Sequence, residues 1–197
     1  SAFNLAKEAD AAHPCSMPNA SAYCSYKSHI KEYHWPRPKE RLKFDKNTKY
    51  FTIYGGDYDS AAWLRMHVWN FFSHKNARGT LPINWAFNPN LSERAPMVFD
   101  YVYENMTDND FFIAGDSGAG YVIPYGLTAA CDYRENPPAI FEWAKYSKPY
   151  YERFDYDITG FIINGNETVT NEIMAAFNEI SPKGSFHNSL ARPITVY

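Results

Sequence analysis

The chain is poor in the features that would place it quickly. It has three cysteines in 197 residues. Cys15 and Cys24 stand nine apart in a Pro/Ser/Asn-rich segment, and Cys131 stands alone. A Cys15–Cys24 disulfide suits an extracytoplasmic protein, and two free thiols suit any other setting. No run approaches the ~20 apolar residues of a membrane span. Residues 1–20 are polar and mixed, without the apolar core of a signal peptide. Net charge is −3 with no basic block, so the electrostatic footprint of a nucleic-acid binder is missing. There is no Walker motif and no dinucleotide fingerprint, because Gly115-x-x-Gly118-x-Gly120 has the wrong glycine order. Asp116-Ser117-Gly118 is reminiscent of serine hydrolases, but the G-x-S-x-G elbow is absent and no histidine supports a nucleophilic Ser117. His13, His29 and His34 lack metal-ligand spacing. These gaps lead to an expectation of no cofactor, no resident metal, no nucleic-acid partner and no membrane span.

What the chain has in excess is aromatic side chains, 18% of residues. Such rings serve as core. They also line carbohydrate clefts, where a ring face stacks on a sugar and its polar tip stays wet. With 45% hydrophobic and 21% charged residues the composition is that of a globular domain. Three sequons, at Asn19, Asn105 and Asn166, matter only for a secreted eukaryotic chain.

Residues 1–45 carry little sheet signal and read as an N-terminal extension or linker. They include a short helix over Phe3–Ala12 and a proline-fixed connector at His34-Trp35-Pro36-Arg37-Pro38. Trp35 there covers the side of the domain or lines a cleft. Residues 46–197 alternate strand, polar loop and helix. Strands are expected at Lys49–Tyr54, Leu81–Phe87, Phe111–Ala114, Asp157–Ile163 and Pro193–Tyr197. Helices are expected at Ala61–Ser73, Glu93–Asn105, Pro138–Tyr150 and Val169–Ile180, with Ser60 and Ser92 as caps. Inward faces are Trp63, Leu64, Val68, Phe71 and Phe72, then Ile140, Phe141 and Trp143 further on.

Four repeats of about 30 residues are the βαβ pattern of a parallel sheet. A full eight-stranded barrel needs about 250 residues. The expected fold is therefore α/β, with parallel β/α repeats forming a partial or truncated TIM-like (β/α) barrel. A doubly wound sheet is the alternative. A start on Ser-Ala and an end on a strand read as a piece of a longer chain.

The strands share one kind of exit. Apolar runs give way to Gly56-Asp57-Tyr58-Asp59, Asn88-Pro89-Asn90, Gly115-Asp116-Ser117 and Asn164-Gly165-Asn166-Glu167. In a parallel sheet all C-terminal strand ends lie on one edge, where α/β proteins place their sites. Asp57, Asp59, Asn88, Asp116, Asn164 and Glu167 should meet there. Asp155 and Asp157 precede their strand and read as solvated turn residues at the other end.

Several carboxylates on one aromatic-rich edge suit glycosidic bond chemistry. One acid protonates the leaving oxygen while another carboxylate attacks carbon or activates water. Asp57 and Asp59 are two apart and share a side in extended backbone, so they supply nucleophile or base. Their other role would be to complement the dipole of the following helix. Asp116 is the expected acid, or else the cap of a structural turn. Tyr121 and Trp85 would stack the sugar. Asn88, Asn164 and Glu167 would bind hydroxyls, and Gly118 and Gly120 would let a ligand approach the backbone. Two other readings share these residues. One is a non-catalytic carbohydrate-binding domain. The other is a metal-dependent DxD glycosyltransferase-like protein, with a cation held by Asp57 and Asp59.

At Gly118-Ala-Gly-Tyr-Val-Ile-Pro124 the sequence resembles the family named for its GxGYxYP motif, whose members are assigned by inference to the glycoside hydrolases. Gly118, Gly120, Tyr121 and Pro124 match, and Ile123 stands where the motif has its second tyrosine. Asp57-Tyr58-Asp59-Ser60 with Trp63-Leu64 is similar to the family's Asp-Gly-Asp-Asn strand exit. Leu81–Pro89 with Ala95-Pro96 is similar to its next strand and helix start. The resemblance covers roughly residues 48–180. It implies a barrel-like C-terminal domain, carbohydrate as partner, and a secreted or cell-surface protein from which the family's separate N-terminal domain is missing.

Overall fold

In the computed structural model the described residues are 20–37, 43–58, 61–73, 78–120, 122–131, 137–163, 168–188 and 195–196. The expected Phe3–Ala12 helix, Cys15 and the Ser60 cap lie outside them, as does the side chain of Cys24. Cys131 is a free thiol.

The chain lays its strands side by side in the order it makes them: β1 (Ile53–Tyr58), β2 (Ile83–Phe87), β3 (Asp110–Ala114), β4 (Ile158–Ile163), β5 (Gly184–Asn188) and β6 (Thr195–Val196). The first five are parallel and form a curled half-barrel with helices, a partial α/β barrel. Helix α1 (Ala20–Ser25) precedes the sheet. Helices α2 (Ala61–Ser73), α3 (Pro96–Glu104), α4 (Ile140–Phe154) and α5 (Asn171–Ile180) fill the crossovers.

Periodicity explains the helices. In α4 the buried residues Ile140, Trp143, Ala144, Ser147, Tyr151 and Phe154 recur every three or four positions, one stripe against the sheet. Glu142 in its first turn and Arg153 in its last complement the helix dipole. In α5 the Thr170 hydroxyl accepts the Ile173 N–H at 3.2 Å and caps the helix. Strand β3 is buried along nearly its whole length, as a central parallel strand must be when helices cover it. Much of the aromatic excess is core. Phe87 lies 5.9 Å from Phe112, Phe99 lies 4.8 Å from Phe154, and Tyr103 lies 4.7 Å from Phe112, ring centre to ring centre. Tyr33 and Trp35 join this core at 1% and 8% exposure, so Trp35 covers the barrel rather than lining a cleft.

Several sequence expectations need correction. Strand β1 begins at Ile53 and runs through Gly55, Gly56 and Asp57, which had read as its exit loop. A Cβ at Gly55 would lie 3.0 Å from the Trp85 ring, and one at Gly56 would run into the Tyr54 ring, so bare backbone lets the strand pass. Strand β5 was not expected, because Gly-Ser-Phe-His-Asn has no apolar run. The described part of the C-terminal strand, residues 195–196, pairs antiparallel with β5, so it is not the next step of the β/α series. Ser92 does not cap a helix; it lies in a 3-10 turn, Pro89–Glu93, and its hydroxyl donates to Pro89 O at 2.8 Å. Phe71 and Phe141, expected inward, are 48% and 45% exposed because they fall off their helices' buried stripes. Asp155 and Asp157 do sit at the far end of the sheet, but as ion-pair acceptors. Arg37 reaches both at 2.6 and 2.7 Å, and Lys183 joins Asp157 at 2.5 Å.

Candidate active site

The strand register draws the exits together. Tyr58 pairs with Phe87, Phe87 with Ala114, and Ala114 with Thr159. The last residues of β1, β2 and β3 are therefore level, and Asn88 and Gly115-Asp116 leave the sheet at one edge. The backbone of Asp57 reaches the same edge, one residue before the end of β1. Strand β4 continues past β3 by residues 160–163, so it walls one side of the β3 exit. Of the other expected site residues, Asp59, Tyr121, Asn164 and Glu167 lie outside the described residues, as does the side chain of Asp57.

The β3 exit is a tightly held turn. Gly115 donates its N–H to Phe87 O at 2.9 Å, and Gly118 donates back to Gly115 O at 2.7 Å. A Cβ at Gly115 would sit 3.0 Å from Ala86 O. Asp116 and Ser117 both take positive φ, 52° and 65°, and both are fully buried. A non-glycine residue in that region costs on the order of 1–3 kcal/mol and persists only where its surroundings impose it. The turn is not a helix cap: residues 115–120 are turns and bends, and the next helical turn, a 3-10 segment, starts at Pro124.

Two side chains impose that geometry. Asn88, 2% exposed, accepts the Asn90 N–H at 3.1 Å and the Gly120 N–H at 3.3 Å through one Oδ1. It thereby ties the β2 exit to the β3 exit. Trp143 of α4 donates its indole N–H to Ala119 O at 3.0 Å. Beneath the turn, Gly118 (φ 100°) is buried against Tyr151 and Trp143. A Cβ there would meet the Tyr151 hydroxyl at 2.7 Å and the Trp143 ring at 3.2 Å. Burial pushes the Tyr151 hydroxyl well up, against the opposing hydrogen bonds of Thr159 and Ser181, so it stays a neutral phenol. It shares a 2.6 Å hydrogen bond with Thr159, which in turn bonds Ser181. Gly120 (φ 105°) is exposed, with nothing within 4 Å of a Cβ position.

Trp85 lies elsewhere. It is 5% exposed, packs 5.1 Å from Phe72, and donates its N–H to Asp110 Oδ1 at 2.7 Å, toward the N-terminal end of the sheet. Trp143 and Tyr151 are the positioning residues that the motif itself does not contain. Trp143 was legible as an inward aromatic, but its partner at Ala119 was not. Among the described residues no three His, Cys, Asp or Glu side chains are grouped to hold a metal ion. No described helix is long and apolar enough to cross a membrane.

A model of the family described as the "GxGYxYP putative glycoside hydrolase C-terminal domain" matches residues 47–194. Among solved structures the chain is similar to a "putative hydrolase" from Bacteroides thetaiotaomicron VPI-5482, with a TM-score of 0.70 at 19% identity. That likeness covers 88% of this chain and 32% of the other, so the chain spans about a third of its neighbour's length. At that identity the likeness speaks for the fold alone. No curated protein matches the chain.

Proposed function

The chain belongs to the GxGYxYP glycoside hydrolase-like family, and from that premise we propose that it hydrolyses a glycosidic bond at the strand C-terminal edge. The supporting observation is the register that levels the ends of β1, β2 and β3, bringing the Asp57 backbone, Asn88 and Asp116 to one side of the sheet. Asp116 is the acid. Its proton goes to the leaving oxygen as the C1–O bond breaks. Asp57 or Asp59 then either bonds C1, in an ester that water later cleaves, or takes a proton from the water that attacks C1. Asn88 holds the β2 and β3 exits in register for that step. Tyr121 supplies the ring face, and Asn164 and Glu167 bind hydroxyls. Because Asp116 has no exposed surface, the sugar must open the 115–120 turn or an adjoining exit to receive its proton.

That burial favours a second reading, a carbohydrate-binding domain without turnover. The two separate in one experiment, a glycan and aryl-glycoside screen of the parent beside Asp57→Asn, Asp59→Asn and Asp116→Asn. Hydrolysis predicts a drop in kcat of about 10²–10⁴-fold for Asp116→Asn and one of the other two, with binding retained. Binding alone predicts no turnover by the parent and unchanged affinity in the variants. If the parent neither binds nor cleaves any sugar, both readings fail.

A further inference from the structure

One carboxylate gathers several of the bonds that fasten the segment before the sheet to the barrel. Asp100 of α3 is 2% exposed, and its partners come from residues 26–33. Its Oδ1 accepts the Ser28 hydroxyl at 2.6 Å and the Tyr33 hydroxyl at 2.5 Å. Its Oδ2 accepts the Tyr26 hydroxyl at 3.1 Å and lies 3.2 Å from His29 Nδ1. The other ring nitrogen of His29, Nε2, lies 2.7 Å from Glu104 Oε1, one turn further along α3. Both nitrogens of one imidazole thus face carboxylates. A neutral imidazole has a single N–H and leaves one carboxylate facing a lone pair; an imidazolium donates to both.

We propose that His29 is a pH-sensitive clasp, whose protonation fastens α1 and the 26–30 turn onto α3. Histidine is the side chain that ordinarily changes charge between about pH 5 and pH 8. Its buried partner Asp100 stays charged across that window. Burial raises the Asp100 carboxyl, but the hydrogen bonds from Ser28, Tyr33 and Tyr26 outweigh it and hold the group below its ordinary value. Tyr33, pushed up to about 12 by burial and by its bond to Asp100, remains a donor throughout. The charged and titratable groups around His29 are Asp100 and Glu104 of α3 and Tyr26 of its own segment. Lys27 lies two residues before it, and Arg153 of α4 lies beyond, over the Tyr33 ring at 5.5 Å.

The sign follows from which form is paired. Binding of the segment is strongest when the imidazole is charged, on the acid side, and weakens as pH rises through the histidine range. The inner part of the segment has further anchors: Tyr33 N–H donates to Arg153 O at 2.9 Å, and the Trp35 indole donates to Asp155 O at 3.1 Å. Tyr26 and Ser28 hold Asp100 whatever the state of His29, so the clasp adds to these bonds over residues 20–30 and does not replace them. Of these, Tyr26, Lys27 and Ser28 form one wall of a groove of about 280 Å³, facing Ser92, Glu93 and Arg153. Protonation of His29 tightens that wall.

Hydrogen exchange read by mass spectrometry, corrected for the pH dependence of intrinsic exchange, tests this on the whole chain. Protection of residues 20–30 should be about two- to five-fold higher near pH 5.5 than near pH 8, the size of one partly exposed ion pair. Protection of residues 33–37 should not change. His29→Gln, at a side chain 59% exposed and so tolerant of change, should abolish the difference. Glu104→Gln should reduce it. Equal protection at both pH values in the parent would overturn the proposal, and so would an undiminished difference in His29→Gln.

Discussion

The two ends of β3 are built from different materials. At its start Asp110, 1% exposed, accepts Arg78 at 2.6 Å, the Trp85 indole at 2.7 Å, and the backbone and hydroxyl of Thr107 at 2.7 and 2.8 Å. Arg78 spends its other arm on Asn105 O at 2.6 Å. At the other end the strand stops in a turn held by backbone amides, with positive φ at Asp116, Ser117, Gly118 and Gly120. The first end binds a charge with side chains and so locks loops together. The second bends the main chain into costly angles and then props it with Asn88, Trp143 and Tyr151. In β3, then, backbone strain lies at the exit and a satisfied buried charge at the entry.

Breaking the N-terminal end should have the largest effect. Asp110→Ala leaves the Arg78 guanidinium, whose side chain is 6% exposed, buried without its carboxylate. Removing one partner of a buried pair costs roughly 3–5 kcal/mol. Urea denaturation should show that loss. A change below about 1 kcal/mol would mean that the two ends do not differ as described.

The turn at the other end offers a sharper contrast between two glycines. Gly118→Ala adds a Cβ 2.7 Å from the Tyr151 hydroxyl at φ 100°. Backbone strain and overpacking together should cost about 2–4 kcal/mol. Gly120→Ala has nearly the same φ but an open surrounding, so it should cost only about 1–2 kcal/mol. Tyr151→Phe removes the clashing oxygen and should recover part of the Gly118→Ala loss in a double-mutant cycle. Equal cost at the two glycines would show that φ alone, and not the Tyr151–Trp143 floor, selects Gly118.

How much of this was legible in the sequence depends on range. The apolar runs of β2 and β3 and their polar exits are local, so the common edge could be read from composition alone. The interior of β1 could not, because Gly55-Gly56 reads as a break until Trp85 and Tyr54 are seen to fill the space beside them. Strand β5 was hidden for a similar reason: its place is set by pairing with β4, not by its own hydrophobicity. Arg78 and Asp110 are 32 residues apart, and Asp100 lies 67 residues from Tyr33, so neither cluster leaves a motif. At the candidate site the positions of Asn88 and Asp116 were legible. Their burial was not, nor was the packing of the turn on α4, where Trp143 and Tyr151 meet it at Ala119 and Gly118.

The smallest expected effect lies at the N-terminal end of β4, where the charges are near the surface. Asp157 there accepts Lys183 and Arg37, but the Lys183 side chain is 63% exposed and that of Arg37 is 32% exposed. Water already solvates both cations, so pairing them gains little over the unfolded chain. Lys183→Ala should cost about 0.5 kcal/mol, and less as salt is raised. The Asp110 cluster should be nearly salt-independent, because screening ions do not reach a pair this deeply buried. Measuring both losses in low and high salt therefore separates two kinds of charge at one end of the sheet. A Lys183→Ala loss as large and as salt-insensitive as that of Asp110→Ala would mean that this end is held by its ion pairs as a whole, not by burial of the one at Asp110.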